Sequence, residues 1–316
     1  MPEDDKLRAP FGIMADCFQA KTVVPFLGAA ASFVGANAAG LPSGAELARI
    51  LASKSDYPGL SSDSLSKVAQ FVEEIGDRSY LLGFIADTFG ERIPLSYSSA
   101  FTRFLASLPE TSLPPLIITT NYDTLVERTL AARGIPYLAV SHIMGRETKY
   151  FGRFICYDSL TASIKPITKS ELEERLHDDE GAIARTIVYK IHGTSKILCD
   201  RELLDSVVLT ETDYVDFLAD EMLKRMPTKV LEILGRSHLL FLGYSLGDWN
   251  FRVLLQRLYI MQKRGGRASK RQHWACMLSG DRVEERFWEK RNVTLYPQSL
   301  DLFLDQLGSL IDPVVT

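Results

Sequence analysis

The stretch that most constrains the fold runs from Val23 to Leu47, where an apolar run leads through small residues into a helical pattern. A buried strand, a tight turn and a helix are predicted in that order. In α/β proteins, small residues after such a strand let backbone N–H groups approach a pyrophosphate. The glycine fingerprint of dehydrogenases fails here, because Ala30 and Phe33 occupy glycine positions. Taken alone, the segment is better explained as a plain strand-to-helix connection.

Three later segments repeat the pattern of an apolar strand that ends in small or polar residues. They are Leu116–Thr119 before Thr120-Asn121-Tyr122-Asp123, Tyr189–Ile191 before His192-Gly193, and Leu239–Leu242 before Gly243-Tyr244-Ser245-Leu246. Because parallel strands end at one edge of a sheet, we expect these residues to gather along one rim. The sequence therefore predicts an α/β fold, with a Rossmann-like parallel sheet, helices on both faces and an inserted helical module.

Five ordered motifs make the chain resemble the sirtuin family. They are GAAAS (28–32) for the family's GAGxS, GLP (40–42) for GIP, TTNYD (119–123) for TQNxD, IHG (191–193) for the catalytic HG, and GYSL (243–246) for GTSL. The chain more closely resembles the sirtuin-like domains of bacterial antiviral defence proteins. In those domains TTNYD, an IHG strand, DSVVLTETDYVDFL and FLGYSLGDWNFR occur in this order. The resemblance covers Val23 to Pro297.

We predict a single sirtuin-like domain over residues 1–316. Its Rossmann-like NAD-binding core comprises 20–53 and 111–316, and the inserted helical module comprises 54–110. Apolar residues recur at helical spacing from Leu65 to Leu108 without strand signals. In the family, a comparable module packs beside the nucleotide-binding sheet and shapes the substrate entrance.

Several local predictions concern segments outside the motifs. Ser43 is expected to cap the helix that follows it, and Gly134 to end a helix that begins at Thr124. Val207-Val208-Leu209 is predicted as a short strand, and Ser170 to Asp179 as a charged, exposed segment. The run from His177 to Glu180 is interpreted as a solvated face, because the spacing of metal ligands is missing.

Composition excludes some classes of function. The 36 basic and 40 acidic residues give a net charge of −4, so no overall positive field attracts nucleic acid or anionic lipid. The basic cluster at 263–271 is better explained as a solvated loop than as a nucleic-acid contact. The 4 cysteines are far apart and include no C-x-x-C pair, so no disulfide framework or zinc ribbon is predicted. With no transmembrane-length apolar segment, we expect a cytoplasmic protein without membrane or metal partners.

The resemblance implies attack at the anomeric carbon of the nicotinamide ribose of NAD+. Asn121 is the first catalytic candidate, since an amide supplies a donor and an acceptor without a competing full charge. His192 is the second, since imidazole can take a proton from a ribose hydroxyl or an attacking water. Outside these motifs, such an asparagine is more often a turn or capping residue and such a histidine a structural one.

Other residues are predicted to bind NAD+ by position in the motifs. Gly28, Ala29, Ala30 and Ser32 correspond to the phosphate cradle, Gly243 and Ser245 to the adenosine-ribose contacts, and Thr119 and Gly193 flank the catalytic candidates. Asp123 would orient Asn121 or bind the nicotinamide carboxamide, although capping the next helix is an equal alternative. Ala30 departs from the family glycine and adds a methyl group where backbone would approach phosphate.

The resemblance implies that the chain is an NAD+ glycohydrolase and an effector of bacterial antiphage defence. The zinc ribbon that frames the acyl-lysine groove of deacylating sirtuins is missing, so water is the expected acceptor and nicotinamide and ADP-ribose are the expected products. Because such an activity is toxic when unchecked, we expect control by homo-oligomerisation or by a sensor partner, such as a translocase ATPase or an argonaute-type protein. Two alternatives remain: a non-catalytic module that senses NAD or ADP-ribose, and a nuclease subunit, which would need clustered carboxylates for metal.

Overall fold

The computed structural model describes most of the chain. The described residues are 10–33, 41–60, 62–90, 93–94, 96–145, 148–176, 185–195, 197–199, 202–219, 225–244, 252–253, 256–260, 271–277 and 282–311. The run 177–180, the basic residues 263–270 and Ser245, which the sequence analysis singled out, lie outside them.

The described strands form a nine-stranded sheet and a separate two-stranded hairpin. The strands are β1 Val23–Leu27, β2 Leu116–Thr119, β3 Tyr137–His142, β4 Phe154–Asp158, β5 Ser163–Ile167, β6 Thr186–Lys190, β7 Ile197–Cys199, β8 Glu202–Leu204, β9 His238–Leu242, β10 His273–Met277 and β11 Val293–Pro297. The order in the sheet is β11-β10-β9-β1-β2-β6-β3-β4-β5, and β7 pairs with β8 in the hairpin.

Helices lie before the first strand, between successive strands in the sequence, and on both faces of the sheet. They are α1 Phe11–Gln19, α2 Gly44–Lys54, α3 Leu65–Ile75, α4 Arg78–Phe89, α5 Ala100–Ser107, α6 Leu125–Ala132, α7 Lys169–Leu176, α8 Glu211–Ala219, α9 Thr228–Arg236, α10 Arg282–Glu289 and α11 Leu300–Ile311. Residues 252–253 and 256–260 are also helical.

The sheet is mostly parallel and is covered on both faces. Only β4 pairs antiparallel with its neighbours, β3 and β5, among the described strands of the sheet. Alternate side chains of β1 enter different cores: Val24 and Phe26 pack with α8 and α9, whereas Val23 and Leu27 pack with α1, α5 and α11. This division follows from the two-residue period of a strand. The predicted Rossmann-like α/β fold is confirmed.

The side of the sheet on which successive strands are added changes at β1. Along the chain, β1 is followed by β2 on one side, whereas β9, β10 and β11 are added later on the other side. Such a reversal leaves a crevice at the carboxyl ends of the two strands beside it, and ligands of open α/β sheets bind there. In this chain the crevice lies between the loops that follow β1 and β9.

Helices α2, α3 and α4 form a hydrophobic cluster of their own beside the sheet. This cluster also receives Tyr122, Val207 and Leu209. Helix α5 packs instead with the sheet, through Phe101, Phe104 and Leu105. The helical module therefore touches both the TTNYD loop and the segment that follows β8.

Local predictions had mixed outcomes. Ser43 caps α2, accepting a hydrogen bond from the Glu46 N–H while Glu46 accepts one from the Ser43 N–H, as predicted. Gly134 follows α6 with φ of +68°, also as predicted. The predicted strand at Val207-Val208-Leu209 is wrong: Val208 N–H donates to the His192 carbonyl, so the segment bonds to a loop and not to a strand.

The predicted exposed segment from Ser170 is corrected for its first part. Residues 169–176 form helix α7, and the side chains of Leu172 and Leu176 are buried in the main core. These leucines are four residues apart and share one helix face, while the charged residues between them remain outside. The charge density of the segment concealed this amphipathic pattern.

Candidate functional site

The loops that carry the predicted site residues follow four neighbouring strands, β9, β1, β2 and β6. Strand β1 pairs in parallel with β9 and β2, and β2 pairs in parallel with β6. The loops are also joined directly, because Ala30 N–H donates to the Gly243 carbonyl at 3.1 Å and Ser195 N–H to the Tyr122 carbonyl at 3.0 Å. All four loops therefore lie on one rim of the sheet.

Gly28 and Gly243 allow the β1 and β9 loops to pack backbone against backbone. A Cβ atom on Gly28 would lie 2.6 Å from the Gly243 oxygen, and a Cβ on Gly243 would lie 2.2 Å from the Ala31 nitrogen. Gly243 also adopts φ of +72°, which favours glycine. Both glycines thus have a structural role within the protein that does not depend on a ligand.

The turn predicted as a phosphate cradle is a short 3-10 helix, Ala29–Ser32. Ala29 is exposed and Ala30 is half-buried. The N–H groups of Ala30 and Ala31 donate to the carbonyls of Gly243 and Gly28. In this structure those two amides are engaged within the protein, and the alanine that replaces the family glycine is accommodated in the turn.

Asn121 is held at the centre of a buried hydrogen-bond network. Its Nδ2 donates to the Gly28 carbonyl at 3.0 Å and to Ser32 Oγ at 2.8 Å. Its backbone N–H donates to Thr119 Oγ1 at 3.0 Å. These contacts fix the side-chain amide through both of its N–H donors. Its Oδ1 accepts no hydrogen bond from the described residues, so this acceptor is available.

Asp123 both caps a helix and completes the network. Its Oδ1 accepts from the Leu125 N–H at 3.0 Å, which satisfies a free amide at the start of α6. Its Oδ2 accepts from Ser32 Oγ at 2.8 Å. Since Ser32 gives its single proton to Asp123, the predicted phosphate-donor role of Ser32 would require this bond to change.

His192 lies on the adjacent loop but contacts a different element. Its ring packs edge-to-face against Tyr214 and Phe217 of α8, with centroids 5.5 and 5.6 Å away. Burial lowers the pKa of His192 to about 4, although nearby Asp213 acts in the opposite direction. The imidazole is therefore neutral at physiological pH, and no hydrogen bond from the described residues reaches its nitrogens.

Gly193 has a steric reason to be glycine. Its φ is +84°, and a Cβ would lie 1.9 Å from the Ser206 carbonyl oxygen. Thr194 N–H donates to Ser206 Oγ at 3.2 Å, so the loop after β6 is packed tightly on the 205–208 segment. As with the other loop glycines, the close contact observed is with protein backbone.

The structure brings Asn121, Ser32, Asp123, Thr119 and Gly28 into one cluster, and His192 is not part of it. A small cavity with a volume of about 10 Å³ adjoins this cluster, and His192 is not among its described lining residues. Pockets that enclose small ligands usually have about 300–1,000 Å³. Residues 34–40 and 245–251, which follow the described residues of the β1 and β9 loops in the sequence, lie outside the described part. This cavity is therefore too small to hold a dinucleotide.

Two charged residues of this cavity escaped the sequence analysis. Lys190 and Glu127 are only 2% and 7% exposed, and Lys190 Nζ lies 3.2 Å from Glu127 Oε1. Lys190 Nζ also donates to the Asp123 main-chain carbonyl. The sequence held one signal for them, because Lys190 ends an otherwise apolar strand directly before the IHG motif, where a charge needs a buried partner.

The comparison with protein families agrees with this arrangement of loops. The sequence model described as SIR2-like domain matches residues 115–296, a span that contains the TTNYD, IHG and GYSL motifs. The chain belongs to the SIR2-like domain family. Membership supports a sirtuin-like, NAD-related function for this SIR2-like domain. No curated protein matches the chain.

Two other features, a metal site and a membrane-spanning helix, are absent from the described part of the SIR2-like domain. Among the described residues, no group of three or more His, Cys, Asp or Glu side chains is arranged to hold a metal ion. No helix within the described ranges combines the length and apolarity that crossing a membrane requires.

Proposed function

We propose that this SIR2-like domain is an NAD+ glycohydrolase that releases nicotinamide and ADP-ribose. The observation that carries the proposal is the fixed amide of Asn121 at the carboxyl edge of β2, with Oδ1 left without a partner among the described residues. That oxygen can accept a hydrogen bond from a ribose hydroxyl or from a water held at the anomeric carbon. The adjacent topological switch point is where α/β sheets bind dinucleotides.

His192 supplies the base in this proposal. Its neutral imidazole can accept a proton, and it follows the strand next to that of Asn121. Because Asn121 and His192 contact different elements in this structure, the proposed reaction places the ribose between their two loops. Binding of NAD+ would have to bring the reacting carbon within reach of both side chains.

The test is nicotinamide release from NAD+ by the purified protein and its variants. We expect Asn121→Ala and His192→Ala each to lower the rate by about 100-fold or more. This is the usual effect of removing a group that stabilises the transition state or accepts a proton at the reacting centre. His238→Gln is a matched control, because His238 lies at the amino end of β9, whereas the loops of the candidate site follow the carboxyl ends of the strands. Full activity in both site variants would contradict the proposal.

The non-catalytic sensor is the alternative outcome of this test. It is supported if NAD+ binds with measurable affinity by calorimetry and no nicotinamide appears under any condition. Asn121→Ala would then weaken NAD+ binding without a catalytic effect, because the Asn121 Oδ1 would only bind the ligand and would take no part in a reaction.

We further propose a role in bacterial antiphage defence, with control by self-association or by a sensor protein. This proposal is supported by the motif resemblance to the sirtuin-like domains of defence proteins. Its test is to measure cellular NAD+ after phage infection in bacteria that carry the wild-type chain or Asn121→Ala. A loss of NAD+ confined to infected wild-type cells is expected, and equal NAD+ levels in both strains would contradict it.

A further inference from the structure

The buried ion pair of Lys190 and Glu127 is an unusual feature of the candidate site. Both side chains line the cavity beside Asn121, and both are almost fully buried. Taking two charges out of water costs free energy that their attraction offsets only when further hydrogen bonds satisfy both groups. Here Glu127 Oε2 has no partner among the described residues. Stabilisation of the fold is therefore a poor explanation for this ion pair.

The contacts of Lys190 connect the pair to the TTNYD turn. Its Nζ donates to the main-chain carbonyl of Asp123, while the Asp123 carboxylate accepts from Ser32. Ser32 Oγ in turn accepts from Asn121 Nδ2. The ammonium group and the Asn121 amide are thus linked through Asp123, whose main chain accepts from Lys190 and whose carboxylate accepts from Ser32.

The pairing of strands β6 and β2 also fixes the position of Lys190. Lys190 pairs in register with Thr119 across β6 and β2, and Thr119 Oγ1 accepts from the Asn121 N–H. The turn that presents Asn121 is therefore held at its first residue by the strand ladder and at its last by Lys190. Glu127, in the first turn of α6, places a carboxylate 3.2 Å from the Lys190 Nζ and is its charge partner at this depth.

We infer that Lys190 is a positioning residue for Asn121 and that Glu127 is its counterion. The ammonium group holds the Asp123 carbonyl, which fixes the turn and directs the Asn121 amide towards the rim. This inference rests on the proposed NAD+ hydrolysis for its kinetic consequence, but its structural consequence is independent of turnover.

The first test follows the Asn121 side-chain amide by nuclear magnetic resonance. Its two Nδ2–H signals are assigned by their loss in Asn121→Ala. In Lys190→Met we expect these signals to shift and to exchange faster with solvent, because the turn loses its anchor. Lys67→Met is the control, since it removes a lysine–carboxylate pair of 3.1 Å at the surface, and it should leave both signals in place.

The second test is kinetic. Lys190→Met should lower kcat by about 100-fold, the effect of a small misplacement of a reacting group. KM should change little, because substrate contacts remain. In an Asn121→Ala background the same substitution should cause no further loss, since both changes remove one function. A merely structural role would lower the amount of folded protein and would add to the Asn121→Ala effect.

A lone Lys190→Met protein leaves Glu127 as an unpaired buried charge and can unfold. The double variant Glu127→Gln with Lys190→Met removes both charges and keeps similar shape, so it tests the same inference in a neutral site. Unshifted Asn121 signals in either folded variant overturn the inference. If the wild-type protein releases no nicotinamide, the proposed function fails alone, and the resonance test still decides the role of Lys190.

Discussion

At the scale of single residues, the candidate site is shaped by where a side chain is absent. Gly193, Gly28 and Gly243 each allow one loop backbone to touch another at a distance that a methyl group would prevent. These contacts align the loops after β6, β1 and β9 along the rim. The motif glycines therefore contribute to a site before any ligand arrives.

Replacing Gly193 by alanine tests this role. The positive φ and the contact with the Ser206 carbonyl should make Gly193→Ala lower the free energy of unfolding by about 1–3 kcal/mol. Gly83→Ala is the matched control, because Gly83 is exposed inside α4 and a methyl group there would meet no atom within 4 Å, so it should raise stability by about 0.5–1 kcal/mol. Urea denaturation measures both, and equal effects in the two variants would refute the argument.

At the scale of elements, one side chain joins the helical module to the loop beside His192. Arg78, the first residue of α4, bonds Asp205 and Asp213 at 2.8 Å each and the Val207 carbonyl at 2.6 Å. Burial lowers the pKa of Arg78, but the carboxylates of Asp205 and Asp213 together raise it above its usual value, so the group stays charged. Since Asp213 belongs to α8, which packs on His192, this contact ties the module to the predicted base.

Removing this contact should loosen the module selectively. We expect Arg78→Ala to cost about 1–3 kcal/mol, less than for a fully buried pair because the side chain is 21% exposed. Hydrogen exchange should accelerate in α3, α4 and α8 and remain slow in the central strands.

A surface arginine provides the control for this prediction. Arg103 pairs with Asp301, and both side chains are about half exposed. Arg103→Ala should therefore change stability by less than about 1 kcal/mol. If Arg78→Ala behaves like Arg103→Ala, the module is held by hydrophobic packing alone.

At the scale of the whole molecule, buried histidines make stability depend on pH. Burial lowers the pKa of His142 and His273 to about 3 and that of His192 to about 4. In the unfolded chain, the same three histidines take up a proton near their usual pKa of about 6.5. Because the unfolded state binds more protons between those values, stability should fall as the pH drops below about 6.5 and should be constant above it.

Denaturant titrations at several pH values between 5 and 8 measure this effect. We expect each of these histidines to contribute a loss of about 2 kcal/mol between pH 7 and pH 5, with the slope reduced in His142→Phe. The raised pKa of buried Glu127 acts in the opposite sense, since its protonation favours the folded state. A free energy of unfolding that stays constant down to pH 5 would contradict the prediction.

The sequence by itself determined the class of fold, the rim on which the motif loops lie, and the helix ends at Ser43 and Gly134. Strand periodicity, the Ser43 cap and the Gly134 stop are recorded within a few neighbouring residues, so they can be read without a structure. The order of the motifs along the chain was enough to indicate the sirtuin-like family, which the family comparison confirms.

Only the tertiary structure decided which side chains meet. Lys190 and Glu127 are 63 positions apart and pair because β2 and β6 are neighbours, a fact that no local pattern contains. Likewise, Asn121 turns towards the β1 loop while His192 packs on α8, although both follow adjacent strands. The direction of a side chain beyond a strand end depends on the loops packed around it, and those contacts are formed by residues distant in sequence.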